Sequence, residues 1–219
     1  MDDKRFWDRY SKNYSALMRR SERMYLQIHK AIRPFLKRDM DVPELACGTG
    51  QLSVPLSPYV RTWEATDFSP EMVTQAKKQL HTSRLHFSVQ DATKLPYGPE
   101  SFDAVVISNA LHIMPQPEKA LSEAWRVLKP GGFLFAPTFV WGNGRWAGFR
   151  LWVMGLSGFH VYHRWNAGEL MAYLSERKYA IIHHQLLGSK YAPLCCLIAR
   201  KIPPESVQHS KTPGNAGQE

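Results

Sequence analysis

The run Val42-Pro43-Glu44-Leu45-Ala46-Cys47-Gly48-Thr49-Gly50 constrains this chain more than any other stretch. A short apolar segment empties into a glycine loop, the pattern of a buried strand turning at its carboxyl end. Downstream, Thr66-Asp67-Phe68-Ser69-Pro70-Glu71-Met72 reads as a second strand that ends in an acid and passes into a capped helix. An acid about 20 residues past a glycine turn, within one βαβ unit, is how a chain holds a nucleoside. The glycines let backbone approach the ligand, and the acid accepts hydrogen bonds from ribose hydroxyls. The loop is Ala46-x-Gly48-x-Gly50, and Gln51 stands where a dinucleotide fingerprint places its third glycine. That argues against a nicotinamide or flavin dinucleotide.

The rest of the chain is organised around this unit. Phe6, Trp7, Tyr10, Tyr14, Leu17 and Met18 recur at helical spacing, and Met24, Ile28, Ala31, Ile32 and Phe35 form a second such pattern that ends near Pro34. From Val42 to Thr138 strands and helices alternate, which predicts a parallel sheet with right-handed crossovers. Ser69 is the expected cap of one helix, with Pro70 in its first turn. A helix from Pro117 to Leu128 meets a stop at Lys129-Pro130-Gly131. Phe133 to Thr138 reads as the fifth strand, with Pro137 at its frayed end because proline removes a ladder hydrogen bond. Asn166 is expected to cap a helix through Arg177. Ile181–Leu187 and Leu194–Arg200 read as a closing antiparallel pair. Cys195 and Cys196, adjacent in the last strand, point to opposite faces and cannot readily grip one metal.

Five motifs in order resemble those of the class I S-adenosylmethionine-dependent methyltransferases. They are the two stretches above, Gln90-Asp91-Ala92 with Leu95-Pro96-Tyr97, Ser101-Phe102-Asp103-Ala104-Val105-Val106-Ile107-Ser108-Asn109, and Trp125-Arg126-Val127-Leu128-Lys129-Pro130-Gly131-Gly132. Within that class the chain resembles the ubiquinone/menaquinone-type and general type 11 branch. The resemblance implies an α/β fold: a Rossmann-like, seven-stranded, mostly parallel sheet with helices on both faces and the last strand antiparallel. It implies S-adenosylmethionine as cofactor and methyl transfer to a small aromatic or lipophilic acceptor, whether quinone-like, phospholipid or aromatic metabolite. RNA methylation and non-catalytic cofactor binding are the alternatives.

The resemblance also implies roles for residues. Asp67 holds the ribose diol, Asp91 accepts the adenine amino group, and the Ala92 amide faces the ring. Glu44 braces the loop formed by Ala46, Cys47, Gly48 and Gly50. Phe68, Met72, Ser108 and Asn109 complete the cofactor set, with Tyr14 (or Tyr10) reaching in from the N-terminal segment. Relatives usually carry glycine where Ala46 stands, so alanine is expected to fit there with negative φ. If the acceptor needs a base, His112 is the best placed, followed by His160 and His163. No metal is expected. Residues 139–165 hold Trp141, Trp146, Trp152 and Trp165 among five glycines and read as an aromatic lid, or else as a satellite core.

Bulk properties bound the remainder. The 219 residues, 44% apolar, suit one domain over residues 1–202 (with 1–40 as a helical cap), followed by a disordered tail at 203–219 rich in Pro, Gly, Ser and Gln. Three cysteines fit a reducing compartment rather than a disulfide framework. The charged start lacks the apolar segment of a secretion signal, so a soluble cytoplasmic protein is expected. Residues 1–40 hold eleven Lys and Arg against five acids, six of the net nine positive charges. That face is either simply solvated or makes peripheral contact with an anionic membrane. No RNA-binding module accompanies it, and oligomeric state is not legible.

Overall fold

The computed structural model describes residues 5–9, 11, 21–79, 82–141, 160–189 and 192–203. Residues 5–9 are helical and precede helix α1 (Glu22–Ile32), which tightens into a 3₁₀ turn at Arg33–Phe35. The alternation that follows is β1 (Asp41–Leu45), α2 (Ser53–Leu56), β2 (Thr62–Asp67), α3 (Pro70–Ala76), β3 (Leu85–Val89), β4 (Phe102–Ile107), α4 (Pro117–Val127) and β5 (Leu128–Phe135). The chain closes with β6 (Thr138–Phe139), α5 (Ala167–Ser175), β7 (Tyr179–Ser189) and β8 (Ala192–Lys201).

All eight strands form one sheet in which β3, β2, β1, β4 and β5 are parallel and β8 runs antiparallel beside β5. β7 pairs antiparallel with β8 at the far edge. The strand beyond the expected seven is β6, the expected fifth strand resumed. Phe135 pairs with Ile198 and Thr138 with Cys195, so β5 and β6 lie in line along β8 with a break at Ala136-Pro137. Pro137 therefore interrupts the strand instead of ending it. Its free carbonyl accepts a hydrogen bond from the Asn109 N–H at 2.7 Å, which ties the break to the end of β4.

Alternation along the strands divides the core between two faces. Val42, Ala104, Val106 and Phe135 face α1, α2 and α3, packing with Ile28, Ile32, Leu56 and Val73. Leu45, Val105, Ile107 and Leu134 face α4 and α5, packing with Leu121, Ala124, Leu170 and Leu174. Cys196 lies in the first cluster and Cys195 in the second, both fully buried, as adjacent strand residues must.

Helix starts follow local chemistry. Ser69 Oγ accepts the Met72 N–H at 3.2 Å with Pro70 next in line. At α5, Asn166 Oδ1 accepts the Glu169 N–H while the Glu169 carboxylate accepts the Asn166 N–H, a reciprocal capping box. At the amino edge of the sheet, Asp103 accepts the Asp41 N–H at 2.9 Å and pairs with Lys129 at 2.7 Å, which holds β1 and β5 against β4. The strand order reverses at β1, between β2 and β4. The crevice at the carboxyl ends of these strands is where open α/β sheets bind ligands.

Candidate functional site

A cavity of about 390 Å³ opens at that crevice, within the roughly 300–1,000 Å³ of small-molecule sites. Its floor is built by the loop after β1. Cys47 N–H donates to the Thr66 carbonyl at 2.9 Å and Gly50 N–H to the Cys47 carbonyl at 3.1 Å, so the chain turns tightly against β2. The turn needs left-handed backbone at three alternate positions: Ala46 (φ 56°), Gly48 (φ 56°) and Gly50 (φ 87°). The negative φ expected at Ala46 is thus corrected. Its β-carbon sits in the conformation that side chains resist, because closing the loop onto β2 leaves no other path.

Asp67 locks this loop from the end of β2. One carboxylate oxygen accepts the Gly48 N–H at 2.8 Å, and the other accepts the Ser69 N–H at 2.9 Å. Each oxygen can accept a second hydrogen bond, and the residue lines the cavity. Burial pushes its pKa up to about 6, against the lowering effect of the two N–H donors. Ser69 Oγ also donates to the Asp8 carboxylate at 2.5 Å. This pins the N-terminal helical residues beside the site, where Trp7 joins the wall.

Of the residues expected to hold a cofactor, Ala46, Gly48, Asp67, Phe68 and Met72 line the cavity from β1, β2 and α3. Asp91, Ala92, Ser108 and Asn109 line it from the ends of β3 and β4. One Asp91 oxygen is used locally, accepting the Thr93 N–H at 2.8 Å and the Thr93 hydroxyl at 2.7 Å. Ser108 Oγ and Asn109 Oδ1 are buried atoms with no hydrogen-bond partner. Asn109 is itself left-handed (φ 53°), and its Nδ2 reaches the Tyr25 hydroxyl at 3.5 Å. A buried polar atom without a partner costs about 1–3 kcal/mol.

Glu44, Cys47 and Gly50 act behind the wall. Glu44 is buried, and one carboxylate oxygen accepts both the Ser53 hydroxyl and, at 3.0 Å, the indole N–H of fully buried Trp63. Burial raises its pKa to about 7. It connects β1, β2 and the helix start after the glycine loop, a brace rather than a contact. The Cys47 thiol is buried and donates to the Gly48 carbonyl at 3.6 Å, and burial raises its pKa well above the ordinary value. A β-carbon at Gly50 would come within 3.4 Å of Val54 and 3.5 Å of Phe87.

The histidines stand elsewhere. His112 is not in the cavity wall. Its ring is buried between Phe139 and Trp141, and burial lowers its pKa to about 3. Its role here is carried by backbone: the His112 carbonyl accepts the N–H groups of Tyr162 and His163 at 3.0 and 3.1 Å. Trp141 N–H in turn donates to the Trp165 carbonyl at 2.8 Å, so the two ends of the aromatic segment are joined. His163 stacks on Trp165 at 4.9 Å, and His160 is exposed beside Tyr162; neither lines the cavity. Tyr10, Tyr14, Trp146, Trp152 and the tail from residue 204 lie outside the described residues.

Sequence reasoning did not place Trp7, Gln90, Thr93 or the run Ile113-Met114-Pro115-Gln116 in the site, yet all line the cavity. Gln90 and Thr93 flank the Asp91 turn and could have been read with it. The 113–116 loop carried only its apolar character and its place after β4.

Comparison with known proteins agrees with this geometry. Residues 43–136 match the methyltransferase domain family. A demethylmenaquinone methyltransferase from Leptospira interrogans is 36% identical over 133 residues, 58% of this chain and 53% of that protein. The chain thus spans about half the length of that curated relative. Among solved structures, a SAM-dependent methyltransferase from Thermotoga maritima superposes with a TM-score of 0.72 at 21% identity, over 90% of this chain and 99% of that one. Magnesium protoporphyrin IX methyltransferase from Synechocystis, solved with bound SAH, gives a TM-score of 0.65 at 16% identity, with 83% of each chain covered.

Proposed function

We propose that this chain, whose residues 43–136 match the methyltransferase domain family, is a class I S-adenosylmethionine-dependent methyltransferase that methylates a small lipophilic acceptor of the quinone type. S-adenosylmethionine, the cofactor of such domains, supplies an electrophilic methyl group whose transfer to the acceptor leaves a thioether. The observation that carries the reading is the cavity at the β1–β2–β4 edge, where Asp67, Asp91, Ser108 and Asn109 converge with unused hydrogen-bonding capacity.

The chain's own residues divide the work. Asp67 accepts the ribose hydroxyls on the lone pairs that Gly48 and Ser69 leave open. Asp91 offers its second oxygen to the adenine amino group, beside the Ala92 amide. Phe68 and Met72 supply apolar surface along the nucleoside. Ser108 and Asn109 meet the polar end of the cofactor or the acceptor.

Trp7, Ile113, Met114 and Pro115 give the remaining wall an apolar character, which suits a flat, uncharged acceptor and excludes water from the transfer. The names of the sequence relatives support a quinone-type acceptor. Positioning and dehydration supply catalysis in this account. With its ring shut behind Phe139 and Trp141, His112 acts as an anchor for residues 162 and 163.

The outward side of α1 exposes Arg23, Leu26 and Lys30, and Lys37 and Arg38 follow it. This supports peripheral contact with an anionic membrane that stores a lipophilic acceptor. No helix among the described residues is long and apolar enough to cross a membrane.

The test incubates the chain with methyl-labelled S-adenosylmethionine and, in parallel, a reduced demethylated naphthoquinone, a phospholipid and a soluble catechol, with anionic or neutral vesicles. Label in the naphthoquinol, faster with anionic vesicles, is expected. Label confined to the catechol or the phospholipid would contradict the acceptor class.

A further inference from the structure

We propose, resting on the methyl-transfer reading, that Asp8 is a positioning residue: through the Ser69 hydroxyl it holds Trp7 in the cavity wall and so assembles the acceptor surface on the nucleoside site. Helical backbone gives residues 5–9 their shape, but what they touch gives them their place. Phe6 supplies apolar contact. It is buried and meets the Trp7 ring edge-on, with centroids 5.1 Å apart and planes at 84°. Ser11, buried as well, donates its hydroxyl to the Asp8 carbonyl at 2.8 Å. Asp8 supplies the directed contact: its carboxylate accepts the Ser69 hydroxyl at 2.5 Å, across 61 positions of sequence. Its neighbour Trp7 lines the cavity.

Ser69 is the joint between the two halves of the site. It is fully buried. Its backbone N–H donates to Asp67 at 2.9 Å, and its hydroxyl oxygen accepts the Met72 N–H at 3.2 Å. A hydroxyl has a single hydrogen to give, and here it goes to Asp8. One serine therefore links the acid at the end of β2, the first turn of α3 and the N-terminal stretch that carries Trp7. A hydrogen bond to an ionised acceptor is shorter and roughly twice as strong as a neutral one. The same arrangement brings two carboxylates to one serine. Burial is the main cause of the raised Asp67 pKa, about 6, and the Asp8 charge adds to it. Tie and charge can be separated, because asparagine keeps an acceptor oxygen for Ser69 without the charge, whereas alanine removes both. Asp67 keeps the Gly48 and Ser69 N–H groups in either variant. Loss of the tie should thus release Trp7 and weaken the acceptor while leaving the cofactor in place.

The experiment has two arms, both on the full chain. In the first, the seven tryptophans are replaced by 5-fluorotryptophan, and the Trp7 fluorine signal is assigned by its absence from Trp7→Phe. Its shift between H₂O and D₂O reads exposure of the ring. Asp8→Ala is expected to enlarge that shift for Trp7 and leave the other signals in place, while Asp8→Asn matches the wild type. In the second arm, Asp8→Ala should raise the KM for a reduced demethylated naphthoquinone about tenfold, the worth of one hydrogen bond to a charged group. Turnover and calorimetric S-adenosylmethionine affinity should stay within about threefold, a shift under 1 kcal/mol. Asp8→Asn should restore the KM, and in a Trp7→Ala background Asp8→Ala should raise it no further. A Trp7 signal unmoved by Asp8→Ala overturns the positioning role. So does an Asp8→Asn chain that behaves as Asp8→Ala, or a loss confined to cofactor affinity. A wild type that leaves the naphthoquinol unlabelled contradicts the acceptor class instead, and the fluorine arm, which uses no acceptor, still decides the role of Asp8.

Discussion

Replacing Ala46 by glycine tests whether the loop after β1 has the backbone described for it. At φ 56° the alanine β-carbon crowds the following carbonyl, at a cost of roughly 1–2 kcal/mol. Glycine removes that strain but frees the unfolded chain, which costs about 0.4–1 kcal/mol. The half-buried methyl packs at the border of the α4–α5 face of the core, and its loss costs about 0.4 kcal/mol, half the value of a buried methylene. At mid-range values the three effects leave a net stabilisation of about 0.5 kcal/mol, roughly 1–2 °C in Tm for a chain of this size.

Ala46→Val sharpens the contrast, because a β-branched residue with positive φ is a true outlier, and it should lose at least about 1 kcal/mol. The assay is differential scanning fluorimetry confirmed by urea melts on the three chains, with the order glycine above alanine above valine. S-adenosylmethionine affinity of the glycine variant should be equal or better, since the position lines the cavity. A glycine variant that melts clearly below the wild type would refute the left-handed loop. Under negative φ, alanine would be the best of the three residues.

Three further outcomes are expected. Glu44 and Asp67 hold protons more tightly in the folded chain, at about 7 and about 6 against ordinary values of 4.5 and 3.8. The folded state therefore binds more protons than the unfolded state between about pH 4 and 7, and stability should fall as pH rises through that window. Glu44→Gln should flatten this slope in urea melts at pH 5 and pH 8, whereas Glu44→Ala should lose about 2–3 kcal/mol by stranding the Ser53 hydroxyl and the Trp63 indole. His112→Phe should fold with stability within about 1 kcal/mol, because the ring sits among aromatics with its Nδ1 unpartnered. Its turnover should stay within a few-fold of wild type with an unshifted pH–rate profile, and a loss of turnover with a displaced profile would restore the ring as a base.

The parts of the fold that could be read beforehand are those written in local chemistry. Ser69-Pro70 and Asn166 with Glu169 are short-range caps, and the structure shows both in place. Strand alternation sent Cys195 and Cys196 to opposite faces. What escaped is decided at long range. Nothing near Ala46 announces positive φ; closure against Thr66 and Asp67, twenty residues away, imposes it. Pro137 looked like a strand end, yet β8 continues past it and pairs with Thr138. His112 looked available because it follows β4, but Phe139 and Trp141 from beyond β5 enclose it. The cavity-lining acids Asp67 and Asp91 were legible as motif, whereas Trp7 and the 113–116 loop reach the cavity only through tertiary packing.

The most direct measurement of the central claim is calorimetric titration of S-adenosylmethionine into the wild-type chain and into Asp67→Ala at neutral pH. The wild type should bind one equivalent. Removing the carboxylate that braces Gly48, and that the proposed function gives to the ribose hydroxyls, should weaken binding by about 2 kcal/mol, roughly thirtyfold, in a chain that still melts cooperatively. Unchanged affinity in the folded variant, or no binding to the wild type, would contradict a cofactor site at the β1–β2–β4 edge.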